Sequence, residues 1–513
     1  MTSSSVGQWG KLTKKSKPVW APHDYQKRAV KFLLERGAAA LFLEPGLGKT
    51  SIVLAALKVL KRDKQLNAAL IIAPKRVMNL VWPDEVKKWK DFEDLYIGVL
   101  HGPKREQVLG EDHDVYVINY ESLNWLFGRE KVNKTWKKFL TSAGKLLMSK
   151  VNILVFDELS KMKHKETQRF KLIEPWLSKF HRRYGLTGSP APNGLLDLFG
   201  QCFALDMGRT LGPYITYYRQ EYFTATDDMG YNYVLKHGAE EQIYERLKPL
   251  ALSMRAEDHL KLPQRRDFTI KVDIPANLRR QYEELEENLL TVLDSKDIVT
   301  AKNAAAGNNL CRQFCSGFVY KSQVDFMTGL RKAGAREAIS LFDDKLDALE
   351  DLIEELAGAQ LLVAYEYAED KARLKKRFPH MVFFGDSDKK DKQIKDNWNA
   401  KKLSLVAGHP ASIGHGLNLQ ESHAHNVAWM TVTWDFELFD QFIRRLLRQG
   451  NKSEYLNNYM IVARNSVEDS VVAAIRRKEA VERRLKKALK DTDMLELKKE
   501  ALLNHWVAEE ETA

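Results

Sequence analysis

Cysteine is scarce in this chain. Cys202, Cys311 and Cys315 are the only three in 513 residues, and none forms a CxxC pair. That argues against a disulfide framework and against a zinc site. Cys311 and Cys315 stand four apart, as two small buried residues on one helix face would. Long apolar runs are absent too, and none approaches the roughly 20 residues of a membrane span. Met1 to Pro18 is rich in Ser and Lys and has no apolar core, so it does not read as a secretory signal. These absences lead us to expect a soluble protein in an intracellular, reducing compartment. No repeat of 20–50 residues and no low-complexity segment stands out.

What is present is an ordinary globular composition, 44% hydrophobic and 29% charged. Lys plus Arg is 81 and Asp plus Glu is 69, giving a net charge of +12. A basic balance suits a polyanion such as DNA or RNA, and it equally suits a basic enzyme.

Short apolar runs alternate with helical stretches from about Asp24 to Leu198. The runs are Ala39–Leu43, Ala68–Ala73, Val115–Ile118, Ile153–Phe156 and Tyr184–Leu186. Such runs are buried parallel strands joined by crossover helices. The alternation returns after Leu346, with Leu361–Tyr365, Val382–Phe384, Leu403–Ala407, Val427–Met430 and Tyr459–Ala463. Between them, segments such as Ala276–Leu293 have helical spacing. The last stretch has no Gly or Pro and reads as helix, with a basic run from Arg476 to Lys490 that fits a solvated face or, less often, a grip on DNA. The expected fold is therefore α/β: two parallel-sheet lobes in tandem, a mainly helical insert and a C-terminal helix. The expected bounds are 1–20 for an N-terminal segment, 21–205 and 344–472 for the lobes, 206–343 for the insert and 473–513 for the extension.

Three motifs carry chemistry. Glu44-Pro45-Gly46-Leu47-Gly48-Lys49-Thr50 lies between a strand and a helix. Glycines let the backbone turn and aim N–H groups at phosphate oxygens, and the helix N-terminus adds its dipole. Lys49 would reach the β- and γ-phosphates of ATP, and Thr50 would hold Mg²⁺. The general pattern asks for Gly at position 43, where this chain has Leu43. Second, the strand 151–156 delivers Asp157 and Glu158, one for the Mg²⁺ shell and one to polarise the attacking water. Third, Gln441 to Gln449 contains Arg445 and Arg448, three apart and expected on one helix face, where they could stabilise charge on the γ-phosphate.

Taken together, in order and spacing, the motifs from about Pro22 to Val472 resemble the Snf/Swi group of superfamily 2 helicase-like ATPases. The resemblance implies that both lobes are RecA-like and that the chain is an ATP-driven motor on double-stranded DNA. It puts Gln26, in His23-Asp24-Tyr25-Gln26, in the adenine-reading role, and Gly416 and Gln441 beside the nucleotide. Pro74 and Lys75, and Asn119, Tyr120 and Ser122, are similar to strand-contacting motifs of the first lobe. Thr187 and Ser189, in Leu186-Thr187-Gly188-Ser189-Pro190, resemble the motif that couples hydrolysis to DNA, and Asn418 the matching element of the second lobe. The acidic box reads Asp-Glu-Leu-Ser where the family usually has Asp-Glu-Ala-His, so Ser160 stands for the histidine. Pro45 replaces the usual Met, and Gly408-His409-Pro410-Ala411 the usual start of the fifth motif. With about twenty residues before the core, the chain looks like a minimal, prokaryotic or phage-like form, expected in the cytoplasm of a prokaryote or of an infected host cell.

Three functions remain open at this level. One is a translocase on duplex DNA, sequence-nonspecific because it grips backbone. Another is a strand-separating helicase on forked or branched DNA, for which no wedge is identified. The third is an ATP-gated DNA-binding switch with little turnover, suggested by Ser160.

Overall fold

A computed structural model describes residues 17–132, 135–227, 230, 232–294, 301–320, 337–413 and 417–510. The chain divides into two compact units, Met1–Gly37, Thr50–Val155 and Lys179–Arg182 in one, and Ala38–Lys49, Phe156–Ser178 and Arg183–Ala513 in the other.

In the first unit the strand Val115–Asn119 pairs in parallel with Ala69–Ala73 and with Ile97–Val99. Ala69–Ala73 and Val115–Asn119 are buried at every position, as strands covered on both faces must be. The helix Asp24–Leu34 starts on a capping box in which Gln26 Oε1 accepts the His23 N–H at 2.9 Å. An antiparallel hairpin, Phe127–Val132 with Thr135–Leu140, stands apart from the parallel strands.

In the second unit Ala38–Leu43 lies parallel to and between Ala251–Met254 and Arg182–Thr187. A six-stranded parallel sheet follows the order Gln264–Val272, Tyr455–Ala463, Asn426–Trp429, Leu361–Ala364, Leu405–Gly408 and Val382–Phe383. Its pleat sorts the side chains into two cores. Leu361, Val363, Ala428 and Ile461 enter one, and Leu362, Ala364, Val427 and Val462 the other. A sheet covered on both faces explains why these strands read as unbroken apolar runs. The fold is α/β with parallel sheets, as expected, and it ends in the long helix Val467–Glu510. Residues 206–343 hold the helices Ile215–Tyr222, Ala239–Leu247, Ala276–Asp294 and Ala301–Cys315, and also the strands Ala251–Met254 and Gln264–Val272.

Candidate nucleotide site

The phosphate-loop residues 44–48 leave the buried strand Ala38–Leu43. Gly46 has φ 95° and Gly48 φ 77°, a region that L side chains rarely adopt. Lys49 then opens the helix Lys49–Arg62, and its Nζ donates to the Leu43 carbonyl at 2.7 Å. Leu43 thus serves the loop through its carbonyl while its side chain stays in the core, so the missing glycine does not disturb the turn. Burial pushes the Lys49 ammonium down to about 8, against the attraction of Glu158 and Asp157.

Asp157 ends its strand half-buried, and Glu158 follows with φ 67° and ψ 65°, a left-handed conformation unusual for any residue but glycine. Thr187 Oγ1 donates to Glu158 Oε1 at 2.7 Å, and the Ser189 N–H donates to Thr187 Oγ1 at 3.2 Å. Ser160 Oγ stands 3.1 Å from Glu158 Oε1 and 2.9 Å from Glu437 Oε1. One hydroxyl proton cannot serve two ionised carboxylates. Burial and the neighbouring Glu158 push Glu437 up to about 7, and a proton on Glu437 completes the chain from Glu437 through Ser160 to Glu158. Gln441 Nε2 also donates to Glu437 Oε1, at 3.2 Å. Gln441 is therefore tied to a carboxylate.

The arginines do not share a helix face as expected. The helix Phe436–Ile443 ends before them, and the chain continues in turns, so each points to a different partner. Arg444 forks onto Glu44, with Nη2 to Oε1 at 2.9 Å and Nη1 to Oε2 at 3.0 Å, and its Nε donates to Asp440 at 2.7 Å. Arg445 is buried and donates to the carbonyls of Gln441 and Leu417 at 2.9 and 3.1 Å. Arg448 donates to Asn418 Oδ1 at 2.8 Å. It packs against the loop so closely that a Cβ at Gly46 would meet its Cγ at 3.5 Å.

Glu44 closes a buried ionic cluster that the sequence does not announce. Lys486, on the last helix, reaches Glu44 Oε1 at 3.1 Å and Glu482 Oε2 at 3.7 Å. The Ala256 N–H donates to Glu44 Oε2 at 3.0 Å. Burial opposes ionisation of Glu44, but Arg444, Lys486 and that N–H outweigh it and hold its carboxyl well below the usual range. Glu482, whose Oε1 accepts the Ala191 N–H, is pushed up to about 7 by burial, with Lys486 pulling the other way. A cavity of about 590 Å³ opens beside this cluster, lined by Glu44, Asp440, Arg444 and Lys486 among others. It is not bounded by Lys49, Asp157 or Glu158, so it is distinct from the loop's phosphate-facing side.

The other expected residues are placed as follows. Gln26 is buried in the cap of its helix. Thr50 is half-buried in the first turn of the loop's helix. Pro74 is half-buried after its strand, and Lys75 is exposed. Asn119 and Tyr120 are buried, with Asn119 Nδ2 donating to Glu121 at 2.9 Å, and Ser122 is half-buried. Thr187 and Ser189 are buried, and Asn418 is exposed. Gly416 lies outside the described residues.

Comparison with known proteins decides the family. A family model described as the SNF2-related domain matches residues 25–333. The chain belongs to the SNF2-related family. As a member it is a helicase-like ATPase, and the resemblance drawn from the motifs is confirmed. Putative protein p41 of Acyrthosiphon pisum secondary endosymbiont phage 1 is 28% identical over 489 residues, covering 92% of this chain and 99% of that protein. This agrees with the phage-like form expected. Among larger proteins, the Chromodomain-helicase-DNA-binding protein 3 homolog of Caenorhabditis elegans is 24% identical over 307 residues. That match covers 56% of this chain and 16% of that protein. A solved structure of the Sulfolobus solfataricus SWI2/SNF2 ATPase core in complex with dsDNA aligns with a TM-score of 0.40 at 19% identity. It covers 94% of this chain and 96% of that one. Among the described residues, no helix of this SNF2-related protein is long and apolar enough to cross a membrane.

Proposed function

We propose that this SNF2-related protein is a DNA-stimulated ATPase that translocates on double-stranded DNA and remodels DNA or protein–DNA complexes. The observation that carries the reading is Arg448 lying against Gly46 of the phosphate loop. A cation brought there from the far end of the sequence can meet the charge that develops on a transferring phosphoryl group.

In this reading Lys49 exchanges the Leu43 carbonyl for the β- and γ-phosphates of ATP. Asp157 and Thr50 are hard oxygen donors of the kind Mg²⁺ takes, and the metal would neutralise phosphate charge there. Glu158 orients and polarises the attacking water. Arg445 is a positioning residue that fixes the turn carrying Arg448. Thr187 binds Glu158 and, with Ser189, gives a physical route from a DNA contact to the catalytic carboxylate. Gln26 serves adenine from its helix cap. Lys75 and Asn418 are exposed and suit backbone contacts, which carry no sequence information. The relative from Caenorhabditis elegans is named as a helicase and DNA-binding protein, which supports a DNA partner.

The test is steady-state phosphate release with and without duplex DNA, beside displacement of a triplex-forming strand. Duplex should stimulate the wild-type rate. Lys49→Ala, Glu158→Gln and Arg448→Ala should each abolish stimulated turnover, by on the order of 10³-fold for the arginine. Wild-type turnover by Glu158→Gln in the presence of DNA would refute the role assignment. Triplex displacement without unwinding of a fork marks a translocase, and unwinding marks a helicase.

A further inference from the structure

The hairpin Phe127–Val132 with Thr135–Leu140 follows directly on the segment 119–123 and stands outside the parallel strands. A two-stranded ribbon is marginal by itself, and this one is held at its base. Thr141 Oγ1 lies 2.6 Å from the Trp125 carbonyl and accepts the Gly144 N–H at 3.0 Å. Gly144 packs so closely that a Cβ there would lie 2.0 Å from the Leu126 carbonyl oxygen.

The register sorts the two faces. Opposed residues of an antiparallel pair share a face. Arg129 opposes Lys138 and Lys131 opposes Trp136, so three cations and one indole lie on the same side. On the other side Glu130 opposes Lys137. There too, Phe139 covers Gly128, with its ring 2.3 Å from where a Cβ would be. Phe139 therefore has a structural task. Trp136 has none of that kind: it is 49% exposed, with the Arg129 guanidinium 4.1 Å from its ring centroid.

We propose that this face is a DNA contact that takes unpaired nucleotides. The cations grip the phosphates, and Trp136 stacks on a base whose face a duplex would hide. Cations combined with exposed aromatics are the chemistry of single-strand binding, and a backbone grip alone would need no indole. The proposal rests on the DNA-motor reading and adds to it a preference for forked or gapped DNA over blunt duplex.

The test is fluorescence anisotropy of the full chain with labelled forked and blunt duplexes of equal length. Trp136→Ala should weaken binding to the fork by about five- to 150-fold, the range of one lost base stack, and leave the blunt duplex unchanged. Lys131→Ala combined with Lys138→Ala should lower the slope of log affinity against log salt by about 1.5, two phosphate contacts' worth. The proposal is overturned if Trp136→Ala binds the fork like wild type or loses both DNAs equally, or if the double variant keeps the wild-type slope. A wild-type chain that binds neither DNA and shows no stimulation would instead refute the motor reading.

Discussion

Replacing Glu437 with Gln should stabilise the protein at alkaline pH and hardly at all at acidic pH. Glu437 is 7% exposed. Burial and Glu158 push its carboxyl up to about 7 from the ordinary 4.5, while Lys161 and Lys163 pull back. The folded state therefore holds the proton more tightly than the unfolded chain does. Stability tied to that proton is complete below about pH 4.5 and is lost as pH rises to about 7. Raising the carboxyl from 4.5 to about 7 corresponds to about 3 kcal/mol. Gln imitates the protonated acid, because its amide N–H can donate to Ser160 Oγ as the acid O–H would. Glu437→Gln should lie within about 1 kcal/mol of wild type at pH 5 and exceed it by about 3 kcal/mol at pH 8. Glu482 is pushed to the same range, but it is present in both proteins and cancels in the difference. Urea unfolding of both proteins at the two pH values reads the effect. A difference independent of pH, or a variant less stable at pH 8, would refute the protonated bridge.

Two further outcomes follow from the charged groups around the loop. Arg444→Met leaves Glu44 and Asp440 short of a buried cation and should cost about 3–5 kcal/mol in urea unfolding. Arg444→Lys should fall between the two, since a point charge cannot replace the fork. Because burial holds Lys49 at about 8, ATP affinity measured by calorimetry should drop about fivefold between pH 8 and pH 9 as the ammonium is lost. Lys49→Arg should flatten that drop, and a flat wild-type profile would contradict the assignment.

The strands that bear the loop and the acidic box were legible because burial on both faces leaves them uniformly apolar. The loop was legible because glycines at 46 and 48 are a backbone requirement, visible without any partner. Gln264–Val272 was not. It is an edge strand with Arg265, Arg266, Asp267 and Lys271 in nine positions, and edges carry charge where central strands carry valine and isoleucine. Lys486 was hidden for a different reason. In a basic helical run it looks like a solvated face, and its partner Glu44 is 442 positions upstream. Arg445 and Arg448 were found by spacing, but spacing assumes a helix, and the helix stops at Ile443. Arg444 beside them carries a sequence signal of its own, since Asp440 four residues earlier can pair with it.

The three arginines can be ranked by what each would surrender to reach a phosphate. Arg444 would have to leave two buried carboxylates, Asp440 and Glu44, the second of which would keep Lys486. Removing one partner of a buried pair is among the most destabilising single changes known, so Arg444 is fixed. Arg445 would give up two backbone carbonyls, and with them the turn that aims its neighbour. Arg448 is bound to one neutral amide oxygen on an exposed Asn418, a hydrogen bond worth about 1 kcal/mol net. A guanidinium–phosphate contact is charge-assisted and roughly twice as strong. Burial also disfavours the Arg448 cation where it stands, so an arriving anion offsets an existing penalty. Of the three, Arg448 alone can change partners at a gain. Its removal should therefore appear in turnover with little effect on unfolding, and the removal of Arg444 in unfolding first.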